Sequence, residues 1–336
     1  MLPVRPAALP PPRPPDDATP MKTALAFAFL LATFAASAPA QGTDEPMELK
    51  TPTGTIHGSL RAPQAVARGP VVLLVAGSGP TDRDGNQPRL RSDMLRQLAG
   101  ALAAEGVATL RYDKRGIAAS RAAGPSEKDL RFEQYVDDAA GWLALLAADP
   151  RFSFVAVAGH SEGALVGALA AAKAGAGAYV SMAGIARKPA DVLRTQLQPK
   201  LPEPFWTESE RILAGLEKGE TTDAVPKELM ILYRPSVQPY LVSWFRQSPA
   251  DAVARLAVPV LVVQGTVDAQ VAVSEAQALK AVARRGELFL VTDMTHALKR
   301  ATPEPGSAMK GLTDPSVPIV PELAPRIAAF LRAAAR

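Results

Sequence analysis

The chain has 336 residues, a formal net charge of +4 and no cysteine. That composition excludes a disulfide framework, a thiolate zinc site and a lipid-bearing cysteine. The basic residues are scattered and form no run, so no nucleic-acid partner is indicated.

Residues 1–20 hold eight prolines and almost no apolar periodicity. Such a segment cannot bury enough surface to offset its ordering entropy. It reads as a disordered extension or a mis-assigned start, with Met21 the better first residue. Residues 21–40 then follow the order of a secretory signal peptide: Met21-Lys22, an apolar run from Ala24 to Ala36, and small residues at Ala38 and Ala40. The run is well short of the roughly 20 residues a bilayer span needs. The expectation is therefore cleavage near Ala40, a periplasmic or secreted product beginning near Gln41, and no stable membrane insertion afterwards. Without Arg5, Arg13, Lys22, Asp16 and Asp17 the remaining chain carries +3.

From Met47 the pattern becomes regular. Residues 47–63 read as a hairpin about Gly54, and 70–77 as a strand buried on both faces. Helical spacing over 89–105, a strand at 107–112, a helix over 131–147 and a strand at 152–158 come next, then a small-residue helix to Ala174 and a strand at 179–182. The alternation stops over 185–255, where five prolines lie between Lys200 and Tyr240, and a helical cap is expected. It resumes with strands at 258–265 and 287–292 and helices over 272–284 and 321–335. Alternating strands and helices imply an α/β, doubly wound, mostly parallel sheet. The core is expected in two parts, 41–184 and 256–336, around the 185–255 insertion.

Gly159-His160-Ser161-Glu162-Gly163 lies between a predicted strand and a predicted helix. A sharp turn there, flanked by glycines, would raise the Ser161 hydroxyl above the sheet at a helix N-terminus. A hydroxyl nucleophile needs a base, and the chain has three histidines. His57 belongs to the hairpin, and His160, on the strand side of the turn, should point away from the hydroxyl and pack beneath it. His296 follows a late strand, and loops at the carboxyl ends of such strands converge on one crevice. It is the candidate base, with Asp268, after the strand 258–265, as the acid that orients it. Asp293 is nearer in sequence but more plausibly solvates its own loop. Oxyanion donors are expected from the backbone N–H groups of Glu162 and of Ser78, in the small-residue loop after strand 70–77.

The set GSGPTDRDGN, RYDKRGIAAS, GHSEGA, VQGTVDAQV and THALK resembles a bacterial esterase branch of the α/β-hydrolases, related to serine aminopeptidase-like and acyltransferase-like hydrolases, over roughly residues 48–335. The resemblance implies the α/β-hydrolase fold with an inserted cap, and Ser161, Asp268 and His296, in that order, as the catalytic triad. It also implies that Arg83 and Asp84, with Asp113 and Arg115, brace the loops around the oxyanion hole. Ala76 and Ala118 depart from the family pattern, standing where relatives carry a histidine and a glycine.

The expected reaction is cleavage of a carboxylic ester of short to medium acyl chain through an acyl-enzyme on Ser161, without metal or organic cofactor. Cap aromatics such as Phe205, Trp206, Tyr240 and Trp244 could line an apolar pocket or make the cap's own core. An aminopeptidase-like amidase on the same scaffold would need a cap carboxylate for a free amine, with Glu203, Glu208, Glu210 and Glu217 as candidates. A catalytically silent envelope-binding module is the reading from another class.

Overall fold

Continuous apolar runs become the centre of an eight-stranded sheet. The computed structural model describes residues 43–63, 68–124 and 126–336; the expected extension 1–20 and signal segment 21–40 lie outside the described residues. Strands β1 (Asp44–Thr51) and β2 (Gly54–Arg61) form the antiparallel hairpin, and β2 pairs antiparallel with β4 (Ala108–Tyr112). The remaining pairings are parallel and involve β3 (Gly69–Val75), β5 (Phe152–His160), β6 (Ala178–Met182), β7 (Val260–Gly265) and β8 (Gly286–Val291), in the order β1-β2-β4-β3-β5-β6-β7-β8.

Alternation along β3 builds two cores. Val72 and Leu74 face α1 (Met94–Ala104) and α11 (Leu323–Ala334), whose Leu95, Leu98, Ile327 and Leu331 are fully buried. Val71, Leu73 and Val75 face the opposite layer of α2 (Phe132–Ala148) and α3 (Glu162–Ala174), anchored by Trp142 and Leu165. Burial on both faces explains why these strands read as unbroken hydrophobic runs.

Between β6 and β7 the chain makes an excursion of short helices: α4 (Pro189–Leu197), α5 (Phe205–Lys218), α6 (Met230–Tyr233), α7 (Gln238–Phe245) and α8 (Pro249–Ala254). Helices α9 (Val273–Val282) and α10 (Ser307–Thr313) follow; α10 has no counterpart in the sequence reading. Helix α1 starts at Met94 and not near residue 89. The Asn86 side chain accepts the N–H groups of Ser92 and Asp93, both at 2.9 Å, and Asp93 is held at φ 52°, so the preceding turn cannot be helical. Among the described residues no helix is long and apolar enough to cross a membrane.

Candidate active site

The turn between β5 and α3 is sharp because the glycines on either side permit it. A Cβ on Gly159 would lie 2.0 Å from the carbonyl oxygen of Gly163, and one on Gly163 would lie 2.4 Å from that of Ala76. Ser161 between them has φ 55° and ψ −123°, a conformation that L-residues rarely hold. Its N–H donates to the Met182 carbonyl at 2.9 Å, extending the β5–β6 register through the bend, and α3 begins at the next residue.

Asp268 lies just beyond β7, with its carboxylate almost wholly buried. One oxygen accepts the N–H groups of Gln270 (2.8 Å) and Val271 (3.0 Å), and the other accepts Nδ1–H of His296 at 2.8 Å. Burial pushes the carboxyl's pKa up, but the hydrogen bond and charge of His296 and the two amides outweigh it, and the value is lowered. The ionised carboxylate therefore orients His296 through Nδ1–H and leaves Nε2 as the ring nitrogen without a hydrogen bond to a described residue. His296 follows β8 on a loop pinned by Lys299, a fully buried residue whose ammonium donates to the carbonyls of Ser92 (2.7 Å) and Asp314 (3.0 Å). Asp293 sits at the start of the same loop, exposed, with its N–H on Thr266.

Ser161, His296 and Ser78 line one cavity of about 280 Å³, with Leu90, Met94 and Leu312 as its apolar wall. No hydrogen bond joins Ser161 to His296 among the described residues; such contacts commonly tighten only when substrate is bound. The N–H groups of Ser78 and Glu162 likewise donate to no described residue.

His160 corrects the sequence reading. It lines the same cavity, its Nε2–H donates to the backbone carbonyl of His296 at 2.8 Å, and the two rings lie 4.7 Å apart. Strand alternation would send its side chain away from that of Ser161, but the positive φ at Ser161 breaks the alternation and both side chains border one space. Burial, then the neighbouring His296, lowers the pKa of His160 to about 3. Between the ordinary imidazole value of 6.5 and that value, the unfolded chain takes up a proton that the folded chain refuses. Stability contributed by neutral His160 is thus lost as pH falls through this window, by about 1.4 kcal/mol per pH unit at most. His160→Gln should flatten the acid limb of a urea-midpoint profile between pH 6.5 and 4.5 (about these limits); parallel profiles for the two proteins would refute this.

The loops are held by ion pairs. Arg83 donates to Asp113 (2.7 Å) and to Ser59 (2.9 Å), and Asp113 also accepts the Arg83 N–H, which ties the loop after β3 to the one after β4. Asp84 accepts from the buried Arg111 at 2.8 Å. Arg115 turns elsewhere: its guanidinium pairs with Asp138 of α2 and reaches Thr53 of the hairpin, with no hydrogen bond to the loop after β3. Ala118 has φ 43°, which explains physically why a glycine suits that position.

A second cavity, of about 250 Å³, is bordered by Gly79 and Glu162, the residues that follow Ser78 and Ser161 in the chain. Lys114, Tyr135, Glu162, Val237 and Tyr240 line it. Of the apolar insert residues considered from sequence, only Tyr240 borders either cavity. Leu229, Tyr233, Trp244 and Phe245 are buried in the same hydrophobic cluster as Trp142 and Leu165, while Met230 and Ile231 are exposed. The carboxylates considered for a free amine are engaged as well. Glu203 accepts from Thr207, Glu208 pairs with Arg211, and Glu210 and Glu217 share Arg194.

A mostly parallel sheet with the Ser161 turn after β5, Asp268 after β7 and His296 after β8 has the layout of the α/β-hydrolase fold. Comparison with known proteins agrees. A family model described as serine aminopeptidase, S33, matches residues 91–205. Esterase EstD of Thermotoga maritima is 28% identical over 216 residues, 64% of this chain and 50% of its own, so the chain spans about half the length of that curated relative. Among solved structures, Est1E from Butyrivibrio proteoclasticus with ferulic acid bound superposes with a TM-score of 0.61 at 18% identity, over 85% of this chain and 99% of that one. The α/β-hydrolase GrgF from Penicillium sp. superposes with a TM-score of 0.58 at 18% identity, over 87% and 99%. These likenesses show the α/β-hydrolase fold.

Proposed function

We propose that the protein is a serine hydrolase of carboxylic esters with short to medium acyl chains. The observation that carries this reading is the buried Asp268–His296 hydrogen bond at 2.8 Å, on a histidine that shares a cavity with the strained Ser161. Ser161 Oγ attacks the ester carbonyl while His296 Nε2 accepts its proton. The N–H groups of Ser78 and Glu162 hold the oxyanion, helped by the positive end of α3. The tetrahedral species collapses, His296 returns the proton to the leaving alcohol, and water repeats the cycle on the acyl-enzyme.

The esterase name of the Thermotoga maritima relative supports this reading, as do cavities of about 280 Å³ at Ser161 and about 250 Å³ at Glu162, one for the acyl and one for the alcohol portion. The engaged carboxylates of the insert place amine-directed peptidase activity second. Export through residues 21–40 belongs to the same proposal; N-terminal sequencing of secreted protein should begin near Gln41.

The deciding experiment is a screen of p-nitrophenyl esters of increasing chain length alongside aminoacyl-arylamides, with Ser161→Ala as blank. Turnover should peak among the shorter esters. An arylamide cleaved faster than every ester would favour the peptidase. No turnover, together with no labelling of Ser161 by a fluorophosphonate, would favour a binding module.

A further inference from the structure

Lys114 takes no part in the proposed proton transfers, yet it lies buried beside them. Its side chain is 4% exposed, its ammonium donates to the Gly77 carbonyl at 2.7 Å, lies 3.9 Å from Glu162 Oε1 and stands 5.1 Å from the centre of the Tyr135 ring. Taking an ammonium out of water is costly, and a buried ion pair often stabilises no better than an apolar residue of the same size. Stability alone therefore gives little reason for a lysine here.

The geometry supplies another reason. The Gly77 carbonyl and the Ser78 N–H belong to one peptide unit. The Glu203–Pro204 bond is the only cis peptide among the described residues, so this unit is trans. In a planar trans peptide the C=O and N–H point in opposite directions. Holding the carbonyl on Lys114 thus fixes the direction of the Ser78 N–H, which donates to no described residue and belongs to a residue lining the Ser161 cavity. The cation also polarises the peptide and strengthens that N–H as a donor. On its other side Lys114 faces the carboxylate of Glu162, whose backbone N–H is the second proposed oxyanion donor.

We propose that Lys114 is the positioning residue of the oxyanion hole, aiming the Ser78 N–H through the Gly77 carbonyl and tying it to the start of α3 through Glu162. This rests on the serine-hydrolase reading above. Lys114→Met keeps the stem and removes both donor and charge. It should lower kcat on p-nitrophenyl butyrate roughly 10- to 100-fold with KM near wild type, less than the ~10²–10³-fold loss of a whole oxyanion donor. Affinity for a trifluoromethyl ketone, which forms a tetrahedral adduct on Ser161, should fall by the same factor. Lys114→Gln, which retains a donor, should recover part of both losses, and in each variant the Ser78 amide resonance should move while the amides of α11 stay in place.

Unchanged kcat, or a raised KM with kcat intact, would overturn the proposal. If Lys114→Met fails to fold, the inhibitor affinity and the Ser78 shift in Lys114→Gln decide. In a wild type that hydrolyses no ester the hydrolase reading fails, whereas the Ser78 shift still reports the Lys114–Gly77 link; an unmoved resonance would then overturn that link separately.

Discussion

Ser161→Ala is expected to lower kcat by roughly 10⁴- to 10⁶-fold, and His296→Ala to do much the same, because the proposed nucleophile and base would act as a unit. Residual turnover above water would come from the oxyanion donors and substrate binding. Hydrolysis of p-nitrophenyl butyrate and fluorophosphonate labelling measure the loss, and thermal unfolding checks that the fold survives. The backbone at Ser161 adds a second expectation. At φ 55° and ψ −123° any Cβ is strained, so Ser161→Ala keeps the strain and Ser161→Gly relieves it. The glycine variant should be inactive and more stable than the alanine variant by about 1–3 kcal/mol. A Ser161→Gly protein less stable than Ser161→Ala would mean that the turn is not strained by its side chain.

Asp268→Asn should cost about 10⁴-fold in kcat, since an amide in place of the carboxylate permits the wrong imidazole tautomer. Structurally the change is mild. The asparagine oxygen can still accept from Gln270 and Val271, whose amides lie at 2.8 and 3.0 Å from one carboxylate oxygen. Its NH₂ group, however, would meet the Nδ1–H edge of His296 donor to donor, and the ring would have to change tautomer, presenting Nε2–H to Ser161. Asp293→Asn is the control: that carboxylate is exposed and hydrogen-bonds to no described residue, so its loss should change kcat by no more than about twofold, as for other surface substitutions. The reverse pattern, with Asp293→Asn crippled and Asp268→Asn intact, would move the acid to the other loop.

Much of this was readable in the primary structure because the governing physics is local. Two-sided burial writes itself as unbroken apolar runs such as 70–75 and 258–263, and the turn after β5 announces itself through glycines that no Cβ could replace. Chain order likewise assigns Ser161, Asp268 and His296 each to the end of its own strand. What stayed hidden depends on contacts between segments far apart. His160 was expected beneath the turn, yet its ring reaches the carbonyl of His296, 136 residues away in sequence. Helix α1 starts late because the Asn86 side chain takes the amides of Ser92 and Asp93, just ahead of it. The insert's aromatics were as consistent with a pocket as with a core, since periodicity reports that a side chain is buried but not what buries it.

Lys114 is the clearest case of that division. Within RYDKRG it is one more charged residue, and in sequence its neighbours Asp113 and Arg115 had the stronger claim to brace the oxyanion loop. Composition and spacing can announce a strand, a bend and the order of reactive groups, because those follow from each residue's own geometry and its near neighbours. Which carbonyl an ammonium finds, and so which way an N–H is aimed, follows only from how β3, β4 and α3 pack together, because a hydrogen bond depends on position in space and not on distance along the chain.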